Sequence, residues 1–437
     1  MKKTLFMVCL MAALLFSFSL ATSQASQVDV LINKLVEKGL LSPGEAKELL
    51  NEMQKEGARQ ETTVKETAEK VAKETAQKTV KEESKTWAKV PKWVNRIHFK
   101  GDFRLRYQYQ DKEYADGSTF NRNRGRYRWR FGAIADVTED KKWQVGFGLA
   151  SGSGDPRSTN QTFTNGFETP DARIDYAYAQ FQPFKCWKLI AGQFKNPLYK
   201  PKDLVWDGDI RPQGITAPFK YKISDQFNVF LNPALFVLSE FKSKEQSAYM
   251  FILQPGVKIN FTKMFYFKVA GSWYLNKNVK GNHFDADYSG GTNTYDANGN
   301  LIYNYTSLGV DGEFGFKFSS YIQKLVFFGQ FIDSDADKNN VGWLGGVKFG
   351  RSIKKLADWE LKYNYRRLEK DAVLDILPDS DFYGGKTNAQ GHEIELKFGL
   401  AKHVYLALDY YRAEKIDHAP GHEDPENLFQ FDVNFKF

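Results

Sequence analysis

From Ile97 to Phe437, apolar and polar side chains alternate residue by residue in one segment after another. In the final stretch Phe429, Phe431, Val433, Phe435 and Phe437 interleave with Gln430, Asp432, Asn434 and Lys436. Leu308, Val310, Phe314, Phe316 and Phe318 stand against Asp311, Glu313 and Lys317. Trp359, Leu361, Tyr363 and Tyr365 oppose Glu360, Lys362, Asn364 and Arg366, and Ile394, Leu396 and Phe398 oppose Glu393, Glu395 and Lys397. A period of two puts successive side chains on opposite faces of a strand, so each segment has one apolar and one charged face. Sixteen candidate strands follow, near 97–110, 124–137, 142–151, 172–182, 186–194, 213–222, 226–238, 248–261, 264–276, 304–318, 324–332, 341–350, 358–369, 391–399, 402–414 and 427–437.

The connections alternate in length. Short turns such as Pro183–Lys185, Thr262–Lys263 and Leu400–Ala401 are separated by longer polar loops at 111–123, 152–171, 195–212, 239–247, 277–303, 333–340, 370–390 and 415–426. Short turns on one side and long loops on the other are the pattern of a bacterial outer-membrane barrel. The expected fold is therefore all-β: a transmembrane antiparallel β-barrel of about sixteen strands, preceded by a short α-helical or coiled-coil periplasmic extension. The charged faces line a water-filled lumen, because a charge facing lipid at the midplane costs about 2–4 kcal/mol. Pro233 and Pro255 each remove a ladder donor and predict a bulge or irregular pairing. Phe327 and Phe328 make one strand apolar on both faces and leave its register open.

Composition sharpens this reading. Mean hydropathy is negative, and beyond the leader no run approaches the roughly 18 apolar residues of a spanning helix. The 36 Phe and 22 Tyr suit a barrel, which hides apolar residues one at a time. Lys2 and Lys3, an apolar run from Leu5 to Leu20 and Ser23-Gln24-Ala25 read as a cleaved export signal over 1–25. Cys9 leaves with it, and Cys186 remains as the single thiol. Residues 26–57 read as a helical hairpin, stopped at Gly39 and restarted by the capping box Ser42-Pro43-Gly44-Glu45. Residues 58–93 are a charged helix, weak coiled coil or tether with an Ala-rich stripe, and 94–437 form the barrel.

The candidate chemistry is electrostatic. Arg122, Arg124, Arg126, Arg128 and Arg130 occupy every second position of the second strand, and Lys100, Arg104 and Arg106 share one face of the first. These eight form an expected basic ladder lining the pore; they favour anions where they stay free and brace the wall where they pair with lumen carboxylates. Loop 195–212 carries Lys195, Lys200, Lys202 and Arg211 against Asp203, Asp207 and Asp209, stiffened by Pro197, Pro201 and Pro212. It either folds into the lumen as a constriction or caps the rim. Net charge is +8, but the basic residues sit inside alternating strands, which excludes nucleic acid as a partner. No metal is expected: Asp333-Ser334-Asp335-Ala336-Asp337 lacks the Gly and Glu of a calcium loop, and His418 and His422 lack a third ligand. No Gly-x-Ser-x-Gly elbow marks a hydrolase, so no enzyme and no cofactor are expected.

Phe431, Val433, Phe435 and Phe437 resemble the C-terminal signal read by the barrel-assembly machinery. Gly192-Gln193-Phe194-Lys195-Asn196-Pro197 and Asp203 through Gly214, with Lys38 to Ala46, resemble the bacterial "putative porin" family. More distantly the plan is similar to phosphate-selective porins, without their constriction motif. The resemblance implies a porin for passive diffusion of small hydrophilic solutes, a homotrimer in the outer membrane of a Gram-negative bacterium. The alternative is a structural barrel anchoring its periplasmic helices to peptidoglycan or envelope partners.

Overall fold

The computed structural model describes residues 31–32, 34–52, 55–56, 67, 70–71, 75, 93–114, 116–241, 246–284, 286–418 and 423–437. The expected export signal, most of 58–93, and His422 lie outside the described residues. The chain divides into two compact units, 1–91 and 92–437.

In the first unit, helical turns on either side of Gly39 bury Ile32 and Ala46. Gly39 adopts φ +66°, a conformation that costs glycine little and ends the first helix. The Ser42 backbone N–H and hydroxyl donate to Glu45 Oε2 at 2.9 and 2.7 Å, and the Glu45 N–H donates to Ser42 Oγ at 3.3 Å. This reciprocal pair satisfies donors that the first helical turn would otherwise leave open. Among the described residues no helix is long and apolar enough to cross a membrane.

The second unit is one antiparallel sheet closed on itself. Its strand segments are β1 (Ile97–Glu113), β2 (Thr119–Asp136), β3 (Trp143–Ala150), β4 (Gln161–Thr162), β5 (Arg173–Phe184), β6 (Trp187–Gln193), β7 (Gln213–Thr216), β8 (Phe219–Lys222) and β9 (Phe227–Ser239). They continue with β10 (Ala248–Asn260), β11 (Phe265–Lys277), β12 (Ser307–Lys317), β13 (Lys324–Ser334), β14 (Val341–Gly350), β15 (Trp359–Leu368), β16 (Ala389–Ala401), β17 (Val404–Lys415) and β18 (Glu426–Lys436). β4 is a two-residue patch on β2, and β7 and β8 both pair with β9 as one interrupted stave. Sixteen staves remain, as the alternation predicts. β1 pairs with β2 on one edge and β18 on the other, so the wall has no free closing edge. Phe437 completes this seam: the Gly101 N–H donates to its carbonyl at 2.8 Å, and its own N–H donates to Gly101 O at 3.0 Å.

Several boundaries differ from the expectation. The loop expected at 111–123 shrinks to 114–118, because β1 and β2 run for 17 and 18 residues. A membrane needs only about 9–11 residues per strand, so this hairpin continues past the lipid, where neither face needs to be apolar. The expected stave 213–222 breaks at Ala217-Pro218. Pro233 lies opposite that break, and Gln254-Pro255 leave a gap in the β10–β11 ladder. Both gaps keep the register on either side, so the prolines interrupt pairing without a bulge. β13 settles with Phe327 out and Phe328 buried inward.

The faces follow the pattern. Phe99, Phe147, Trp273, Leu308, Phe331, Ile394 and Phe429 are exposed on the outer face, whereas Gln254, Asn364, Glu393, Gln430 and Asp432 are buried inside. The interior is not wholly polar. Three long loops, 194–212, 278–306 and 369–388, fold inward and join wall residues in one apolar core. Loop residues Leu204, Trp206, Val279, Tyr305, Val373 and Leu374 pack with Phe236, Met250, Ile252, Phe328 and Ile332 of the wall. The loop at 370–390, expected as a polar outer connection, is thus largely interior, and the loop at 277–303 sends Val279 and Leu301 into the core.

Candidate functional site

The lumen is where the charged faces of all staves converge with the inward loops. Parity puts Lys100, Arg104 and Arg106 of β1 and all five β2 arginines on the inner face. The structure divides them into two groups.

The first group is neutralised. Arg106 is almost fully buried and grips Asp432 of β18 through Nε and Nη2 at 2.7 and 2.9 Å. Its Nη1 reaches Asp381 of loop 369–388 at 3.0 Å. Arg104 lies 3.3 Å from Asp432 and also binds Asn160. Arg128 and Arg130 share Asp102 of β1 at 2.8 Å each, and Arg130 extends to Asp209 of loop 194–212 at 3.0 Å. The second group keeps its charge free. Arg122 is exposed, Arg124 is partly buried, and among the described residues neither has a carboxylate within ion-pair distance. Among the described residues Arg126 hydrogen-bonds neutral acceptors, at Gln108, Ser158 and the Asn160 carbonyl. Lys100 shares the face but is exposed four residues into β1.

Loop 194–212 is fixed to the wall and to loop 369–388 at every charged position but Lys195, which is exposed, and Lys200, which binds within the loop. Its backbone is held from below. The Tyr199 N–H donates to Gln254 Oε1 at 2.7 Å, and Gln254 Nε2 donates back to Tyr199 O at 2.8 Å. Lys200 donates to the carbonyls of Trp206 and Asp207. Lys202 bridges Asp203 at 2.5 Å and Glu393 at 3.0 Å. Asp203 also meets Arg366 at 2.9 Å. Asp207 accepts from the Asp209 and Ser380 N–H groups at 2.7 and 2.9 Å, and Arg211 pairs with Asp175 at 3.1 Å. Of the three loop acids only Asp209 faces the ladder. The loop acid that reaches Arg106, Asp381, comes from the third inward loop, 369–388.

That loop is the feature the pattern reading missed. Its signal was the run Ala372-Val373-Leu374-Asp375-Ile376-Leu377, too apolar to stay in water. Burial, with the neighbouring Asp203 carboxylate, pushes Asp379 up to about 7. Burial also raises Asp207 well above the usual carboxylate range. Asp203, Asp379 and Glu393 bring carboxylate oxygens within 4.8 Å of one another. Lys202 and Arg366 already supply the cations there, so the cluster is an internal salt-bridge network. A polar cavity of about 390 Å³ separates Arg104, Arg106 and Arg128 on one wall from Lys362, Glu393 and Asp409 on the other.

Phe431 is exposed on the outer face of β18, opposite Tyr107 of β1 and Leu408 of β17. Val433 and Phe435 share its parity, facing Leu105 and Phe103, and the Phe437 ring covers Gly101.

A closed antiparallel barrel with apolar side chains outside and charges inside defines the class: an outer-membrane porin channel, of the kind found in Gram-negative bacteria. The chain belongs to the family described as "putative porin", whose model matches residues 113–301 and 306–437. Among solved structures it is similar to Pseudomonas putida OprB, in a high-pH structure, at 12% identity and a TM-score of 0.51, covering 79% of this chain and 95% of that one. A triple mutant of the Rhodopseudomonas blastica porin matches at 11% identity and a TM-score of 0.44, covering 78% and 100%. At such identities the likeness to OprB shows the fold. No curated protein matches the chain.

Proposed function

We propose that the barrel passes small hydrophilic solutes by passive diffusion and favours anions, without chemistry. The observation that carries this reading is the split of the arginine ladder. Arg104, Arg106, Arg128 and Arg130 are spent on carboxylates and hold the wall and loops, while among the described residues Arg122, Arg124 and Arg126 form no ion pair on the inner face. Fixed cations beside low-dielectric walls concentrate anions and repel cations. The inward loop 194–212, pinned by Asp209 to Arg130, serves as the constriction.

An even number of staves returns both barrel ends to the short-turn side, which supports a periplasmic N-terminal segment that contacts peptidoglycan or an envelope partner. The chain assembles as a homotrimer in outer-membrane lipid, and the strand ending Phe431, Val433, Phe435 and Phe437 is what the barrel-assembly machinery reads. Leader 1–25, hairpin 26–57, linker 58–93 and barrel 94–437 are the functional divisions. A second reading, a closed anchoring barrel, draws support from the three loops that fill part of the lumen.

Liposome swelling separates the two. Purified protein in liposomes is challenged with isotonic arabinose, gluconate and glucosamine. The proposal expects swelling with arabinose, faster with gluconate and slower with glucosamine. Folded barrels that give no swelling with any of the three contradict it and support the anchor.

A further inference from the structure

A second charged region lies away from the arginine ladder. Beside Tyr199 of loop 194–212, β8 to β11 border an open cavity of about 590 Å³, whose lining includes Tyr199, Lys220, Asn228, Phe230, Lys258 and Lys268. Lys258 sits directly cross-strand from Lys268. Like charges opposed in a sheet are destabilising, yet among the described residues Lys220, Lys258 and Lys268 have no carboxylate within ion-pair distance. The nearest acid in register is Glu313, the β12 neighbour of Lys268. Elsewhere in the lumen Lys202 and Lys362 each bind a glutamate. Here Glu313 stands cross-strand from Lys268, while Lys220 and Lys258 face the cavity.

Part of the lining is aromatic and held in place, beside Leu198, Asn228 and Asn232 and the further lysines Lys200 and Lys222. The Tyr199 and Phe230 rings meet edge to face, with centroids 5.9 Å apart at 75°. The Lys268 ammonium stands 3.4 Å from the Tyr199 ring centroid and 5.3 Å from that of Phe230. Lys258 stands 4.7 Å from the Tyr266 ring. Tyr199 cannot drift, because Gln254 clamps its backbone from both sides and is itself held by Asn232 at 2.9 Å and Ser272 at 3.0 Å. Ring faces accept a flat or C–H-rich body, and ammonium groups are compact, rotatable donors. Lysines approaching from three strands suit the tetrahedral oxygens of a phosphate better than the planar fork of a carboxylate, for which arginine is the fitted partner. The volume exceeds what inorganic phosphate needs and falls in the range of small-molecule sites.

We propose that this cavity binds a phosphate monoester carried on a ring, with the phosphate on Lys220, Lys258 and Lys268 and the ring against Tyr199 and Phe230. As a step in permeation the site rests on the porin reading; as a binding site it does not, and the test uses this. Full-length protein folded in detergent is titrated calorimetrically with phenyl phosphate, glucose 6-phosphate and inorganic phosphate, and the same preparation is recorded in planar bilayers. Saturable 1:1 binding of both esters is expected, at least tenfold tighter than inorganic phosphate. Lys258→Gln should weaken ester binding at least tenfold, and Phe230→Leu should remove the advantage over inorganic phosphate. Lys402→Gln, on the exposed turn between β16 and β17, should change neither. Heat-modifiable gel mobility establishes that each variant is folded before titration. Absence of saturable binding, or binding unchanged in Lys258→Gln, overturns the site; equal affinity for esters and inorganic phosphate overturns the role of the rings. A barrel that conducts but does not bind refutes the site alone, and one that binds but does not conduct refutes the channel alone.

Discussion

Arg106 is the point where the first stave, the last stave and an inward loop meet. Its guanidinium makes two contacts with Asp432 and one with Asp381, all between 2.7 and 3.0 Å and nearly dry. Arg106→Met keeps much of the side-chain volume but strands two carboxylates. Asp432 is left with Arg104 at 3.3 Å, and Asp381 loses its ion-pair partner. Removing one partner of a buried ion pair costs about 3–5 kcal/mol, or about two to three and a half powers of ten in the unfolding equilibrium at ~1.4 kcal/mol per decade. Adding Asp432→Asn removes the stranded charge, so the double variant should recover about 2 kcal/mol relative to additivity. Urea unfolding of refolded barrels in micelles, followed by tryptophan fluorescence and by heat-modifiable mobility, measures all four corners of the cycle. A loss below about 1 kcal/mol for Arg106→Met, or a coupling near zero, would refute the claim that this arginine is structural and not a free pore charge.

Gly101→Val should lower the yield of closed barrel, read as the heat-modifiable fraction after refolding. A β-carbon there falls 2.3 Å from the Phe437 ring and 2.9 Å from the Arg130 carbonyl, and such overpacking costs about 1–3 kcal/mol. Asp379 carries a pH prediction. Its folded value of about 7 lies above the ordinary 3.8, so the stability it contributes is complete below about pH 4 and lost as pH rises through about 7. Conductance noise from loop 369–388 should therefore grow between about pH 6 and 8, and Asp379→Asn should flatten that rise; a rise that persists in the variant rejects the assignment. Ser42→Ala removes the reciprocal cap, worth about 1 kcal/mol, and should speed hydrogen exchange of the Glu45 amide about fivefold in the intact protein; no change would remove the cap's role.

The alternation of faces carried most of the barrel, because lipid outside and water inside impose a period of two on every stave. It failed where one of those solvents is missing. Around Asn121-Arg122-Asn123 the β1–β2 hairpin has left the lipid, both faces are polar, and the strand reads as a loop. Inside, loops displace the water from part of the wall, and Phe328, Met250 and Ile332 take up inward positions that the pattern reserves for polar groups. The arginine ladder was legible as a row of charges but not as two groups. The carboxylates that sort it, Asp432 and Asp381, lie 326 and 275 residues from Arg106 along the chain, and no local pattern reports such distances. Length and prolines left inward folding of 195–212 as one of two outcomes, whereas for 369–388 the available signal was the apolar run from Ala372 to Leu377.

The most direct test is the reversal potential of single channels in a planar bilayer under a KCl gradient. The account predicts discrete conductance with an anion-selective reversal, shifted toward zero by Arg124→Ala and Arg126→Ala, which remove free charges without stranding a carboxylate. Cation-selective reversal would keep the channel and contradict the role given to the arginines. Absence of conductance from correctly folded barrels would contradict the channel itself.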